Sequence, residues 1–153
     1  MNDLAHSSVA PALFALVAWW FGTGAILWLV RRPARSFGLR MIFMSVLAFG
    51  SLWAAHRSMQ GAGAANAYLG FASVIVMWSW HELAFLSGWI TGPRRVPLTP
   101  GAQGWPRFRE SLQAVLHHEL ALAANFAFLW WLQAGNPNHV ALCTFALLWC
   151  MRL

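Results

Sequence analysis

Residues 9–30 (VAPALFALVAWWFGTGAILWLV) run for 22 positions without one charged side chain. A helix of that length rises about 33 Å, close to the thickness of a bilayer's hydrocarbon core. No basic segment precedes the run and no small-residue cleavage site follows it, so it reads as a retained helix rather than a secretory signal. Further apolar stretches cover roughly 39–55, 66–90, 111–133 and 139–153, separated by arginines, prolines and glycine-rich turns. A chain that is 59% apolar and 9% charged has too few charges to cover a water-facing surface. The same balance excludes a disordered chain, and two cysteines are too few for a disulfide scaffold. The sequence also lacks the short alternating segments of a β-barrel, whereas a helix satisfies its backbone internally. The predicted fold is an all-α integral membrane protein, a single domain over 1–153 built as a bundle of about five transmembrane helices.

The basic residues predict how the bundle is oriented. All ten are arginine. With the N-terminus periplasmic, the loops at 31–40 and 91–110 and Arg152 fall on the cytoplasmic side, and only Arg57 falls outside. The net charge of +6 therefore reads as an orientation signal and not as a nucleic-acid footprint, and no nucleic-acid partner is expected. Trp19, Trp20, Trp89, Trp105, Trp130 and Trp131 are assigned to interfacial belts. In the loop from Thr91 to Glu110, Arg94, Arg95, Arg107 and Arg109, with Trp105 and Phe108 as anchors, form a patch for anionic headgroups or a partner subunit. No phosphate-cradling loop or nucleophile elbow occurs, which argues against ATP use and hydrolase chemistry. Cys143 and Cys150 are expected to pack, and Gly22 and Gly24 to let helices approach. The last run, 139–153, is short for a span, so the fifth helix is expected to be incomplete and the chain to continue in its full form.

Of the four acidic residues, Glu82 and Glu119 lie inside predicted helices, and each follows a histidine. The string HELA occurs twice, with His81 and His118 separated by 37 positions. Ionisable groups within a span are costly and face the bundle interior. His81 lies about 14 Å and His118 about 11 Å from the cytoplasmic ends of their predicted helices. If those helices are antiparallel neighbours, both pairs meet at one level, and Asn125 extends the polar face of the fourth. Three chemistries suit such a cluster. Two imidazoles can ligate a haem iron or the magnesium of a bacteriochlorophyll. His81, Glu82, His118 and Glu119 can together hold a non-haem metal with open positions for substrate. Or the groups pair with one another and fix helix register. Phe85 and Leu122 stand where the zincin pattern HExxH needs its second histidine, so that pattern is absent.

The strings ALFALVAWWFGTGAILWL, WSWHELAFLSGWITGPRR, HHELA and GNPNHVALCTFALLWCMRL resemble the PuhE family of purple bacteria, over essentially the whole chain. The matching motif positions are His81, Glu82, Gly92, Pro93, Arg94, Arg95, His118, Glu119, Asn136, Pro137, Met151, Arg152 and Leu153. The resemblance implies an inner-membrane factor (cytoplasmic or intracytoplasmic), encoded beside the reaction-centre H subunit. Its role would be assembly of the reaction centre and light-harvesting polypeptides, with a possible link to bacteriochlorophyll supply. Family members continue past the MRL string. On this reading the protein is a non-catalytic accessory factor with His81 and His118 as candidate pigment ligands. The alternatives are a membrane metalloenzyme acting on a lipophilic pigment precursor and a structural subunit of the core complex.

Overall fold

The computed structural model describes residues 9–152, so Asp3 and the motif residue Leu153 lie outside the described residues. Among the described residues five α-helices follow one another: α1 Val9–Val30, α2 Phe37–Met59, α3 Ala64–Leu86, α4 Gly104–Gln133 and α5 Val140–Arg152. One 3₁₀ turn, Ala34–Ser36, leads into α2, and the described residues contain no strand. Three helical stretches are long and apolar enough to cross a membrane: Val9–Val30, Ala34–Met59 and Ala64–Leu86. The other two helices differ from them in kind. α4 has 30 residues but carries Arg107, Arg109, Glu110, His117, His118 and Glu119, and α5 has only 13.

Two boundaries depart from the hydropathy reading for local reasons. The third apolar run extends to about residue 90, yet α3 stops at Leu86. Gly88 takes the left-handed conformation (φ 77°), and the amides of Trp89 and Ile90 both turn back to the Ala84 carbonyl. This is the geometry with which glycine closes a helix. At the other end of the loop, α4 starts at Gly104, seven residues ahead of the apolar run. Pro106 sits in its first turn, where a missing N–H costs nothing.

α3 is the axis of the bundle and packs against all four other helices. One cluster of buried side chains gathers Met59, Val74, Met77, Leu122, Leu129 and Phe145 from α2, α3, α4 and α5. A second joins Ile26 of α1, Met41 and Met44 of α2, and Leu83 and Ala84 of α3. On the outside of α2, Leu39, Ile42, Phe43, Val46, Phe49 and Trp53 form an exposed stripe at helical spacing, as a lipid-facing surface requires.

Polar staples hold the ends. Arg40 donates to the carbonyls of Leu29, Arg32 and Pro33 and closes the α1–α2 turn. Asn138 donates to the carbonyls of Ser58 and Gly61 and accepts from the Val140 amide, tying the start of α5 to the end of α2. Three side-chain expectations are corrected. Cys143 and Cys150 are exposed rather than packed, because they lie on the outer face of α5. Trp19 and Trp20 fall in the middle of α1, not at an interface, and face α5. Gly22 meets Ile75 of α3, whereas Gly24 faces open space.

Candidate functional site

The two HELA histidines come together. The ring centroids of His81 on α3 and His118 on α4 are 6.2 Å apart at an interplanar angle of 82°. Asn125, two turns beyond His118, donates from Nδ2 to His81 Nε2 at 2.9 Å. That bond places the proton of a neutral His81 on Nδ1, and Nδ1 has no hydrogen-bond partner among the described residues. An amide turned by half a rotation would instead accept from Nε2–H and leave Nδ1 as a lone pair. His118 is completely buried, and neither of its ring nitrogens is paired among the described residues. Phe85 lies over its ring at 4.6 Å, and Phe145 approaches His81 at 6.2 Å. Leaving a buried polar atom unpaired costs about 1–3 kcal/mol, so an imidazole held this way stands out from the rest of the core.

The two carboxylates turn elsewhere. Arg152, the last residue of α5, pairs with Glu82 through Nη1 and lies 3.7 Å from Glu119 through Nε. Trp149 Nε1 donates to the second oxygen of Glu119 at 3.0 Å, and the Arg152 guanidinium lies 4.6 Å above the Phe85 ring. Phe85 thus lies between the His118 ring and the Arg152 guanidinium. The physical reason is the angle of about 100° between adjacent helical residues: with the histidines turned inward, each glutamate faces α5. Among the described residues no three of the His, Cys, Asp and Glu side chains converge as a metal site. The set His81, Glu82, His118 and Glu119 is therefore split into a histidine pair and a carboxylate–arginine group. The sequence reading used Arg152 for orientation and missed its role as the hub; its place as the only cation near the end of α5 was the available signal.

The loop motif TGPRR locks onto α4 at the histidine. The Thr91 carbonyl accepts the His118 backbone amide at 2.9 Å, and the Arg94 amide donates to the Gln113 carbonyl at 3.3 Å. Gly92 lies so close to the Gln113 and Ala114 carbonyl groups that any Cβ would collide with them. Arg94 pairs with Glu110 at 3.1 Å, and Glu110 also accepts from the Thr99 amide (2.9 Å) and hydroxyl (2.8 Å). The hydrogen bonds from Thr99 and, behind them, the Arg94 and Arg109 charges hold the Glu110 carboxyl below its ordinary value. Arg94 is therefore turned into the loop, while Arg95, Arg107 and Arg109 remain exposed. Trp105 and Phe108 stack at 5.3 Å and are both largely exposed.

A family model described as a protein of unknown function, DUF3623, matches residues 5–153. The chain belongs to this family. An uncharacterised 30.4 kDa protein in the puhA 5′ region of Rhodobacter capsulatus is 36% identical over 146 residues, which cover 93% of this chain and 53% of the relative. The chain thus spans about half the length of the curated relative it matches. No solved structure matches the chain.

Proposed function

We propose that the protein is an integral-membrane accessory factor in assembly of a bacterial photosynthetic reaction centre–light-harvesting complex, without catalytic turnover of its own. The observation that carries this reading is the relative in the puhA 5′ region of Rhodobacter capsulatus, matched over 93% of the chain. The protein sits in the bacterial inner membrane as a bundle of about five helices, the fifth incomplete, with its N-terminus periplasmic, and it contacts reaction-centre and light-harvesting polypeptides. Arg95, Arg107, Arg109 and Trp105, with Arg94 bracing the loop, offer a cytoplasmic face for headgroups or a partner.

His81 and His118 are the candidate ligands of a bacteriochlorophyll or haem. The donor set supports this: three of their four ring nitrogens are unpaired. The space does not. The cavity beside His81 has a volume of about 190 Å³, below the roughly 300 Å³ of even a small-ligand pocket. That cavity is lined by Ser45, Phe49 and Leu52 of α2, Trp80 and His81 of α3 and Asn125 of α4, and His118 does not reach it. The chain's own part would be to orient the imidazoles through Asn125 and the Thr91 carbonyl and to keep water out with Phe85 and Phe145. The rival metalloenzyme is disfavoured because Arg152 engages the carboxylates such a site would need.

The test pairs a spectrum with a deletion strain. Protein purified in mild detergent should carry tetrapyrrole absorption that falls several-fold in His118→Ala and His81→Ala. A wild type free of tetrapyrrole and metal ends the ligand role alone. Normal assembly of the photosynthetic complex in a deletion strain ends the accessory role.

A further inference from the structure

Two arginine clusters far apart in the chain meet at one end of the bundle. Val30 and Phe37, which flank the α1–α2 turn, pack against the same buried cluster as Ile90, just ahead of the TGPRR loop. Phe37 and Gly38 also share a cavity with Trp89. α4 starts at this end too, since it runs from the loop past His118 toward Asn138, which is tied to the far end of α2. Exposed here are Arg31, Arg32 and Arg35 of the turn and Arg95, Arg107 and Arg109 of the loop and α4. None of the six is in an ion pair among the described residues, and Arg32 lies over the Trp28 ring at 3.9 Å. The carboxyl groups nearby are engaged elsewhere: Glu110 by Thr99 and Arg94, Glu82 and Glu119 by Arg152. Ionised or not, they leave these six arginines without a counterion. At the far end the arginine is Arg57, which donates to Gln60.

Large rings stand among these cations. Trp28, Trp89, Trp105 and Phe108 are each at least half exposed. Cations and rings together come from the end of α1, the chain after α3 and the start of α4, and α1 packs on α3 rather than on α4. The basic surface therefore spans more than one flank of the bundle. A protein partner covers one flank, whereas lipid headgroups meet a bundle around its whole perimeter, and arginine mixed with tryptophan is what that boundary favours. We propose that this end binds anionic phospholipids of the surrounding bilayer in preference to zwitterionic ones, with guanidinium groups on phosphate oxygens and the rings at headgroup level. The guanidinium fork matches two phosphate oxygens, and an anionic lipid brings no cation of its own to compete for them. The inference deepens the headgroup role given to this face above and rests on the membrane placement, not on a pigment at the histidines or a photosynthetic partner.

The test is electron spin resonance of the full chain in phosphatidylcholine vesicles that carry a trace of spin-labelled phosphatidylglycerol or phosphatidylcholine. The glycerol lipid should be motionally restricted by the protein with roughly fivefold higher affinity, as one well-placed arginine implies. The preference should fall toward parity in about 1 M salt, because exposed charges are screened. Replacing Arg95, Arg107 and Arg109 together by Gln should at least halve it, and replacing Arg31, Arg32 and Arg35 should do the same, so either variant serves if the other misfolds. Arg57→Gln should leave it unchanged, and inorganic phosphate at matched ionic strength should not displace the lipid. Equal restriction of the two lipids in an embedded chain overturns this inference alone. So does a preference that survives both triple variants, is lost in Arg57→Gln, or yields to free phosphate. A chain stripped from the vesicles by alkaline carbonate overturns the membrane placement and this inference with it.

Discussion

At Gly92 a hydrogen in place of Cβ lets the loop after α3 lie against the backbone of α4. The contact brings the Thr91 carbonyl within 2.9 Å of the His118 amide, so the glycine of one motif fixes the histidine of another. An alanine there must push the Gln113 and Ala114 carbonyl groups away, and overpacking of this kind costs about 1–3 kcal/mol. Gly92→Ala is expected to lower the unfolding midpoint in detergent and to shift the imidazole resonances of His118. Gly50→Ala is the control. Its Cβ would meet nothing within 4 Å on an exposed helical face, so it should leave stability unchanged or raise it by up to about 1 kcal/mol. Equal midpoints for the two variants would remove the clamp from the account.

The first turns of α4 are the part of the bundle built on charge. Glu110 gathers Thr99 and Arg94 into one knot and keeps the 91–103 loop folded against the helix. Its carboxyl titrates below the ordinary value of 4.5, so the folded loop prefers the ionised form. That contribution is fully present at neutral pH. It fades once the pH drops below 4.5 and is gone when the pH has passed below the folded-state value. Hydrogen exchange at the Thr99 amide reads this directly, because that amide donates to Glu110. Protection should persist at pH 7 and be lost on acidification, and Glu110→Gln should abolish the pH dependence. A Thr99 amide whose protection, taken relative to its intrinsic exchange rate at each pH, is the same at both pH values would show that the knot does not hold the loop.

At the level of the whole molecule, α3 reaches all its neighbours while α1 is buried only at Ile26, which leaves open flanks on both sides of α1. In water such a surface would aggregate; in a bilayer lipid tails cover it without cost. The arginine distribution predicts which end faces the cytoplasm. With Cys143 and Cys150 replaced by serine, Ala62→Cys in the α2–α3 turn should react with an impermeant maleimide from the periplasmic side. Val96→Cys, in the arginine loop, should be protected until the membrane is opened. The reverse pattern would invert the proposed orientation.

The helices were legible before any coordinates because apolar length and punctuation are local properties. The helix through residues 9–30 ends at Val30, ahead of the arginines, and the loops fall where arginine and proline cluster. The placement of His81 and His118 at one level was also legible, since helix rise converts sequence separation into depth. The direction of Glu82 and Glu119 was not. Whether a side chain 100° round a helix meets a metal, a partner or an arginine depends on which helix packs there. α5 brings Arg152 to them from 70 residues beyond Glu82. The close approach of Gly92 to α4 and the exposure of Cys143 and Cys150 are likewise products of packing. Composition and apolar run length by themselves determined that the chain carries helices long and apolar enough to cross a membrane. Only the tertiary contacts decided which of its few polar groups face one another, because that choice is made between segments rather than within them.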